Sequence, residues 1–275
     1  MLYKLMRLTA VPAAALMTMA AGPIAAEEAS EEAAAELARK LANPIASLIS
    51  VPLQLNYDEG FGADDKGSQL RLNLQPVVPL SISDDWNLIS RTILPLVEQE
   101  GFPSTGFREF GTGDTVQSLF FSPAKPTAGG WTWGAGPVLL LPTASDDLLG
   151  ARKWGAGPTA VALKQSGAWT YGALANHIES FAGDSARNDI SASFLQPFLT
   201  YITQSKTTFA LNSEATYDWE SSAWSVPLNL NVNQLLKVGD QIMQVGGGVR
   251  YWLESPATGP EGWALRLNLV FVFPR

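Results

Sequence analysis

Most of the chain alternates between apolar and polar residues with a period of two. Trp263, Leu265, Leu267, Leu269, Phe271 and Phe273 fall on one face of an extended segment, and Ala264, Arg266, Asn268, Val270 and Val272 on the other. Trp224, Val226, Leu228, Leu230 and Val232 alternate likewise with Ser225, Pro227, Asn229, Asn231 and Asn233. So do Leu70, Leu72, Leu74, Pro76 and Val78 with Gln69, Arg71, Asn73, Gln75 and Val77. Successive side chains on a strand point to opposite faces, so this pattern predicts a sheet with one apolar and one polar side. Segments of this kind fall near 47–58, 68–82, 86–98, 114–124, 131–142, 155–165, 168–181, 191–203, 207–219, 224–237, 241–253 and 263–273.

Their connections alternate long and short. Stretches such as Gly101 to Gly113 and Thr143 to Trp154 are long, while Ser83-Asp84-Asp85, Ser166-Gly167 and Gly239-Asp240 are short. Outer-membrane barrels show an even strand number with short periplasmic turns and longer external loops. The expected fold is therefore all-β: a closed antiparallel transmembrane β-barrel of about twelve strands over residues 47–275, its N-terminus periplasmic. Trp86, Trp131, Trp154, Trp169, Trp219, Trp224 and Trp263 fall at strand ends, where amphipathic rings favour the headgroup level. A soluble β-sandwich would also alternate, but it would carry Lys, Glu and Thr on its wet face. Here the polar faces favour Asn, Gln and Ser. Two features resist the reading. Pro52, Pro76, Pro95, Pro137, Pro197 and Pro227 fall inside expected strands, where proline lacks a ladder donor. The segments around 114–165 also alternate poorly, which leaves their facing open.

Before residue 47 the period is different. Lys4 and Arg7 precede an apolar stretch, Leu8 to Ala21, and Ile24-Ala25-Ala26 approximates a small-residue cleavage pattern, so residues 1–26 read as a secretory signal peptide. Residues 27–46 read as a helical periplasmic leader. Acids at Glu27, Glu28, Glu31 and Glu32 and bases at Arg39 and Lys40 complement a helix dipole, and Asn43-Pro44 stops the helix. Such a leader can lie solvated in the periplasm or dock as a plug in the barrel mouth.

Composition narrows the function. Charged residues make up 16% of the chain, against roughly 25% in an average soluble domain. The formal charge of −8 argues against nucleic acid as a partner, which would want a basic surface. No cysteine is present and His177 is the sole histidine, so neither a thiolate nor a two-histidine metal site can form. No nucleophile elbow or phosphate-binding glycine loop occurs, and no cofactor is expected. Asn176, His177 and Ser180 suggest the Ser-His-Asn arrangement of twelve-stranded outer-membrane phospholipases. His177 and Ser180, however, differ by an odd number and would point to opposite faces. The expectation is no enzyme.

Strand parity instead yields lumen-lining candidates: Arg71, Arg91, Arg250, Arg266, Glu214, Asp218, Asn229, Asn231 and Asn268. Closing the last strand onto the first gathers the four arginines on strands 2, 3, 11 and 12, with Glu214 and Asp218 on strand 9. This predicts either a basic wall facing an acidic one, a device that orients polar solutes, or internal salt bridges that fill the barrel. The expected partners are outer-membrane lipids and a small-molecule solute.

Several long stretches carry a family likeness: Asn43 to Pro52, Asp85 to Thr92, Phe121 to Pro126, Lys153 to Ala160 and Tyr217 to Glu220, with the ending Phe271 to Arg275. Through them the chain resembles bacterial outer-membrane barrel transporters of the "MetA-pathway of phenol degradation" type, over nearly all of its mature length. The resemblance implies a passive channel for small solutes, and the family's name suggests hydrophobic or aromatic ones. It assigns no substrate-binding residue.

Overall fold

The computed structural model describes residues 28–104 and 106–273 of the chain. The expected signal peptide lies outside the described residues. Helix α1 spans Glu28–Leu41, and the Glu36 carboxylate meets Lys40 Nζ at 2.8 Å one turn later. The helix stops at Asn43, whose N–H still bonds the Lys40 carbonyl and whose side-chain oxygen then caps the Ile45 N–H. Pro44, with no N–H, cannot continue it.

Twelve antiparallel strands follow. They are β1 (Ile49–Phe61), β2 (Gly67–Leu74 and Val77–Ser81), β3 (Trp86–Glu100), β4 (Arg108–Thr112 and Thr115–Pro123), β5 (Trp131–Leu141) and β6 (Lys153–Ser166). The second half comprises β7 (Trp169–Gly183), β8 (Ser191–Ile202), β9 (Thr207–Ser213 and Ala215–Asp218), β10 (Ala223–Val238), β11 (Gln241–Glu254) and β12 (Gly262–Phe273). Each strand pairs with the next. β12 closes on β1 through an unbroken register from Ile49↔Phe273 to Tyr57↔Leu265. The sheet thus has no edge, which is the condition for burying a β-structure in lipid.

Three strands are broken, each beside a residue that weakens the ladder. β2 breaks at Pro76. β4 breaks at Gly113, whose N–H crosses to the Pro95 carbonyl on β3 at 2.8 Å. β9 breaks at Glu214, which the register places opposite Pro227 on β10. Proline has no N–H to give there, and the Ser213 hydroxyl bonds the Pro227 carbonyl at 2.7 Å instead. Pro76, Pro95 and Pro227 are thereby absorbed at irregularities. Pro52, Pro137 and Pro197 stay inside continuous ladders, with Pro137 facing Pro158 across β5 and β6.

The two faces of the sheet have opposite chemistry along β9 to β12 and β1. Leu265, Leu267 and Leu230 point outward and are 59%, 60% and 50% exposed. Their inward neighbours Arg266, Asn229 and Asn231 are buried. Two aromatic girdles bound the outward band. At the end with short turns, Trp86 packs edge-on against Trp133, Trp131 against Tyr171, and Trp169 leans on Tyr201. At the long-loop end, Tyr217 packs against both Trp219 and Trp224, and Tyr251 against Trp263.

β3 to β7 show why their alternation was hard to read. Their inward face is itself apolar: Ile89, Phe120, Val161, Leu163 and Leu174 cluster inside the barrel around Ile45. Their outward face mixes Phe121, Trp133 and Tyr171 with exposed small residues, Ala160 and Ala162. With both faces apolar, the period of two fades.

Candidate functional site in the barrel lumen

The lumen divides into an apolar floor and a polar upper half. The floor is built by the segment between α1 and β1. Ile45 is buried among Ile89, Phe120, Val161, Leu163 and Leu174. Ala46 and Leu48 pack with Val272, and Leu37 and Leu41 of the helix lie against the same group. Gln165, at the short-turn end of β6, donates to the Arg39 carbonyl at 2.8 Å and ties the helix across the opening. Residues expected as a leader outside the barrel therefore continue into it. Between this segment and the wall remains a cavity of about 150 Å³, lined in part by Lys40, Ser50, Gln75, Arg91 and Gln244.

Above the floor, β9 to β12 and β1 carry a bonded network. Arg266 Nη1 and Nη2 meet the two Glu214 oxygens at 2.9 and 2.8 Å, while its Nε donates to Asn56 Oδ1 at 2.7 Å. Arg250 Nη2 reaches Glu214 at 2.7 Å, its Nη1 lies 3.3 Å from Asp58, and its Nε donates to Asn229 at 2.8 Å. Trp252 also donates to Asp58 at 2.8 Å. Asn229 bonds Asn212 in turn, and Asn268 donates toward Asn231 and Asn233. Removing either sign from such a buried set strands the other, so the network behaves as one unit.

β12 side chains can reach β10 and β9 only by passing over β11. The residues of β11 beneath them are Gly246 and Gly248, paired with Asn268 and Arg266. A Cβ at Gly248 would stand 2.7 Å from the Asn231 Cα, and one at Gly246 2.6 Å from the Asn233 Cα. The glycines open the gap that the network crosses. These two glycines, Asp58 and Ile45 had not been singled out from the sequence. Asp58 shares its parity with Asn56 and could have been; nothing in the local pattern marks Ile45.

The expected opposition of a basic and an acidic wall does not occur. Glu214 bonds the arginines it was expected to face. Asp218 turns to the long-loop end, where its carboxylate accepts from the Glu220 N–H at 2.9 Å and the Ser221 hydroxyl at 2.7 Å. The break at Glu214 lets that side chain leave the wall and reach Arg250 and Arg266, which alternation alone cannot convey.

Arg71 and Arg91 are different again. Arg71 donates twice to Gln69 Oε1, at 3.1 and 2.9 Å, and Arg91 once to Gln75 Oε1 at 3.0 Å. Arg71 is exposed although it points into the barrel, so the lumen beside it is open to water.

His177 lies on the outer wall. One ring nitrogen, Nδ1, is 2.9 Å from Ser193 Oγ, and the other, Nε2, is 3.2 Å from Glu179. The Trp219 N–H donates to the same Ser193 oxygen at 2.9 Å. Ser180 faces inward and bonds Asp189 at 3.2 Å, so His177 and Ser180 do not meet. Among the described residues, no group of three or more His, Cys, Asp or Glu side chains could hold a metal ion.

No known family's sequence profile matches the chain, and no curated protein matches it. Solved structures do. An outer membrane channel from Pseudomonas putida F1 is 17% identical, with 82% of this chain aligned to 96% of that one at a TM-score of 0.64. The KdgM porin in complex with disordered oligogalacturonate is 10% identical over 82% of this chain and 99% of its own, at 0.43. The outer membrane phospholipase A from Escherichia coli is 10% identical over 81% and 96%, at 0.47. The first likeness establishes the fold: this chain has the architecture of an outer-membrane β-barrel.

Proposed function

We propose that the chain is a bacterial outer-membrane channel, its N-terminus periplasmic, through which small solutes of apolar character diffuse passively. In this reading it stands with the MetA-type barrel transporters whose stretches it resembles. The observation that carries the proposal is the pairing of an apolar, aromatic-girdled exterior with a lumen that is open to water at Arg71. The exterior suits lipid, and the interior offers a polar solute path above an apolar floor. The segment from α1 to Leu48 closes the periplasmic end, so passage requires it to shift. The buried network around Arg266 favours a second reading, a filled barrel that conducts nothing.

Planar-bilayer recording on the refolded protein separates the two. The channel reading expects discrete conductance steps, small because of the floor. A folded, inserted barrel that stays silent over a wide voltage range would refute it.

A further inference from the structure

The charge balance of the lumen points to a solute class, and this inference rests on the channel reading above. Arg250 and Arg266 are matched by Asp58 and Glu214, two cations against two carboxylates in one bonded set. Arg71 and Arg91, on the adjacent strands β2 and β3, have no carboxylate within salt-bridge distance among the described residues. Each is steadied only by a glutamine oxygen. An amide oxygen orients a guanidinium without neutralising it. Of five donors per guanidinium, Arg71 spends two and Arg91 one, leaving most of both forks free for a planar anion.

The apolar complement lies across the barrel. β8 stands six strands round from β2 in a ring of twelve, so it forms the opposite wall. From it Phe194 and Phe198 pack on the floor cluster while remaining only partly buried. Arg91 sits just above that same cluster, two residues along β3 from Ile89. The lumen therefore presents free cationic donors on one side and aromatic surface on the other.

We propose that this space binds short amphipathic anions, with the carboxylate or sulfonate head on Arg71 and Arg91 and the apolar body on Phe194 and Phe198. An apolar body alone, or a charge alone, would satisfy only half of the site.

The test is calorimetric titration of the refolded full chain in a non-ionic detergent with hexanesulfonate, ethanesulfonate and hexylammonium. Hexanesulfonate should bind at least tenfold more tightly than either comparison. The Arg71→Gln, Arg91→Gln double variant should lose that advantage while keeping the heat-modifiable gel migration of a folded barrel. Equal affinity for hexanesulfonate and hexylammonium, or unchanged binding in the double variant, would overturn the proposal. Bilayer recording on the same preparations keeps the two ideas apart. Arginine-dependent binding by a silent barrel would defeat the channel and leave the site, whereas conductance without selective binding would defeat the site alone.

Discussion

Arg266 and Glu214 meet through two parallel hydrogen bonds, 2.9 and 2.8 Å long, although β9 and β12 are separated by two intervening strands. The contact exists because Glu214 stands at a break in β9 and because Gly248 leaves β11 low beneath the arginine. Arg266 is 2% exposed, so its charge has no route to bulk water.

Glu214→Ala should therefore destabilise the barrel by about 3 kcal/mol, since truncating one partner of a buried ion pair leaves the other uncompensated. Urea unfolding of the refolded protein, followed by tryptophan fluorescence, reads this directly. Arg91→Gln, which removes no ion pair, should shift the midpoint far less. Equal shifts in the two variants would refute the network as a stability element.

Gly248→Ala probes the gap through which that network passes. With a Cβ 2.7 Å from the Asn231 Cα, strands β10 and β11 must move apart, a strain of about 1–3 kcal/mol. Gly129→Ala, where the nearest atom is 3.7 Å away, should be neutral in the same assay.

Much of the fold was legible in the sequence, and for a definite reason. Along β10, β12 and β1 the two faces meet media of opposite polarity, lipid outside and a bonded polar network inside. Strand count, turn lengths and the placement of Trp86 or Trp263 all follow from that contrast. It fails on β3 to β7, where Ile45 enters the barrel and makes the inner face apolar as well. The site was less legible. Parity put Arg266 and Glu214 on the inner face, but their contact depends on the β9 break and on glycines three strands from the carboxylate. A pattern read one strand at a time contains neither.

The long-loop end has its own tether. Lys153 Nζ lies 2.8 Å from Asp189, and this hydrogen bond and charge hold the Asp189 carboxyl below the usual carboxylate range. A depressed carboxylate contributes its stabilisation above its ordinary pKa of about 4 and loses it as pH falls through the lowered value. The loop 184–190 should therefore open to protease below about pH 4 and be protected at pH 6. Lys153→Gln should remove that dependence, leaving cleavage rates nearly flat across the range.

His177 offers a control for the lumen. Its ring bonds Ser193 and Glu179 on the outer wall, so His177→Ala should leave single-channel conductance unchanged. It should also leave no histidine-dependent lipid hydrolysis to lose. A changed conductance would place the ring's influence inside the barrel, against its position.

The most direct measurement is the unit conductance of the full chain against Ile45→Ser in the same bilayer. Ile45 holds the floor by burial among apolar side chains, and a hydroxyl there loses that packing and must find a hydrogen bond. The account predicts larger or more frequent openings in Ile45→Ser than in the parent, with the barrel still folded. Identical currents from both would contradict a lumen closed by this segment.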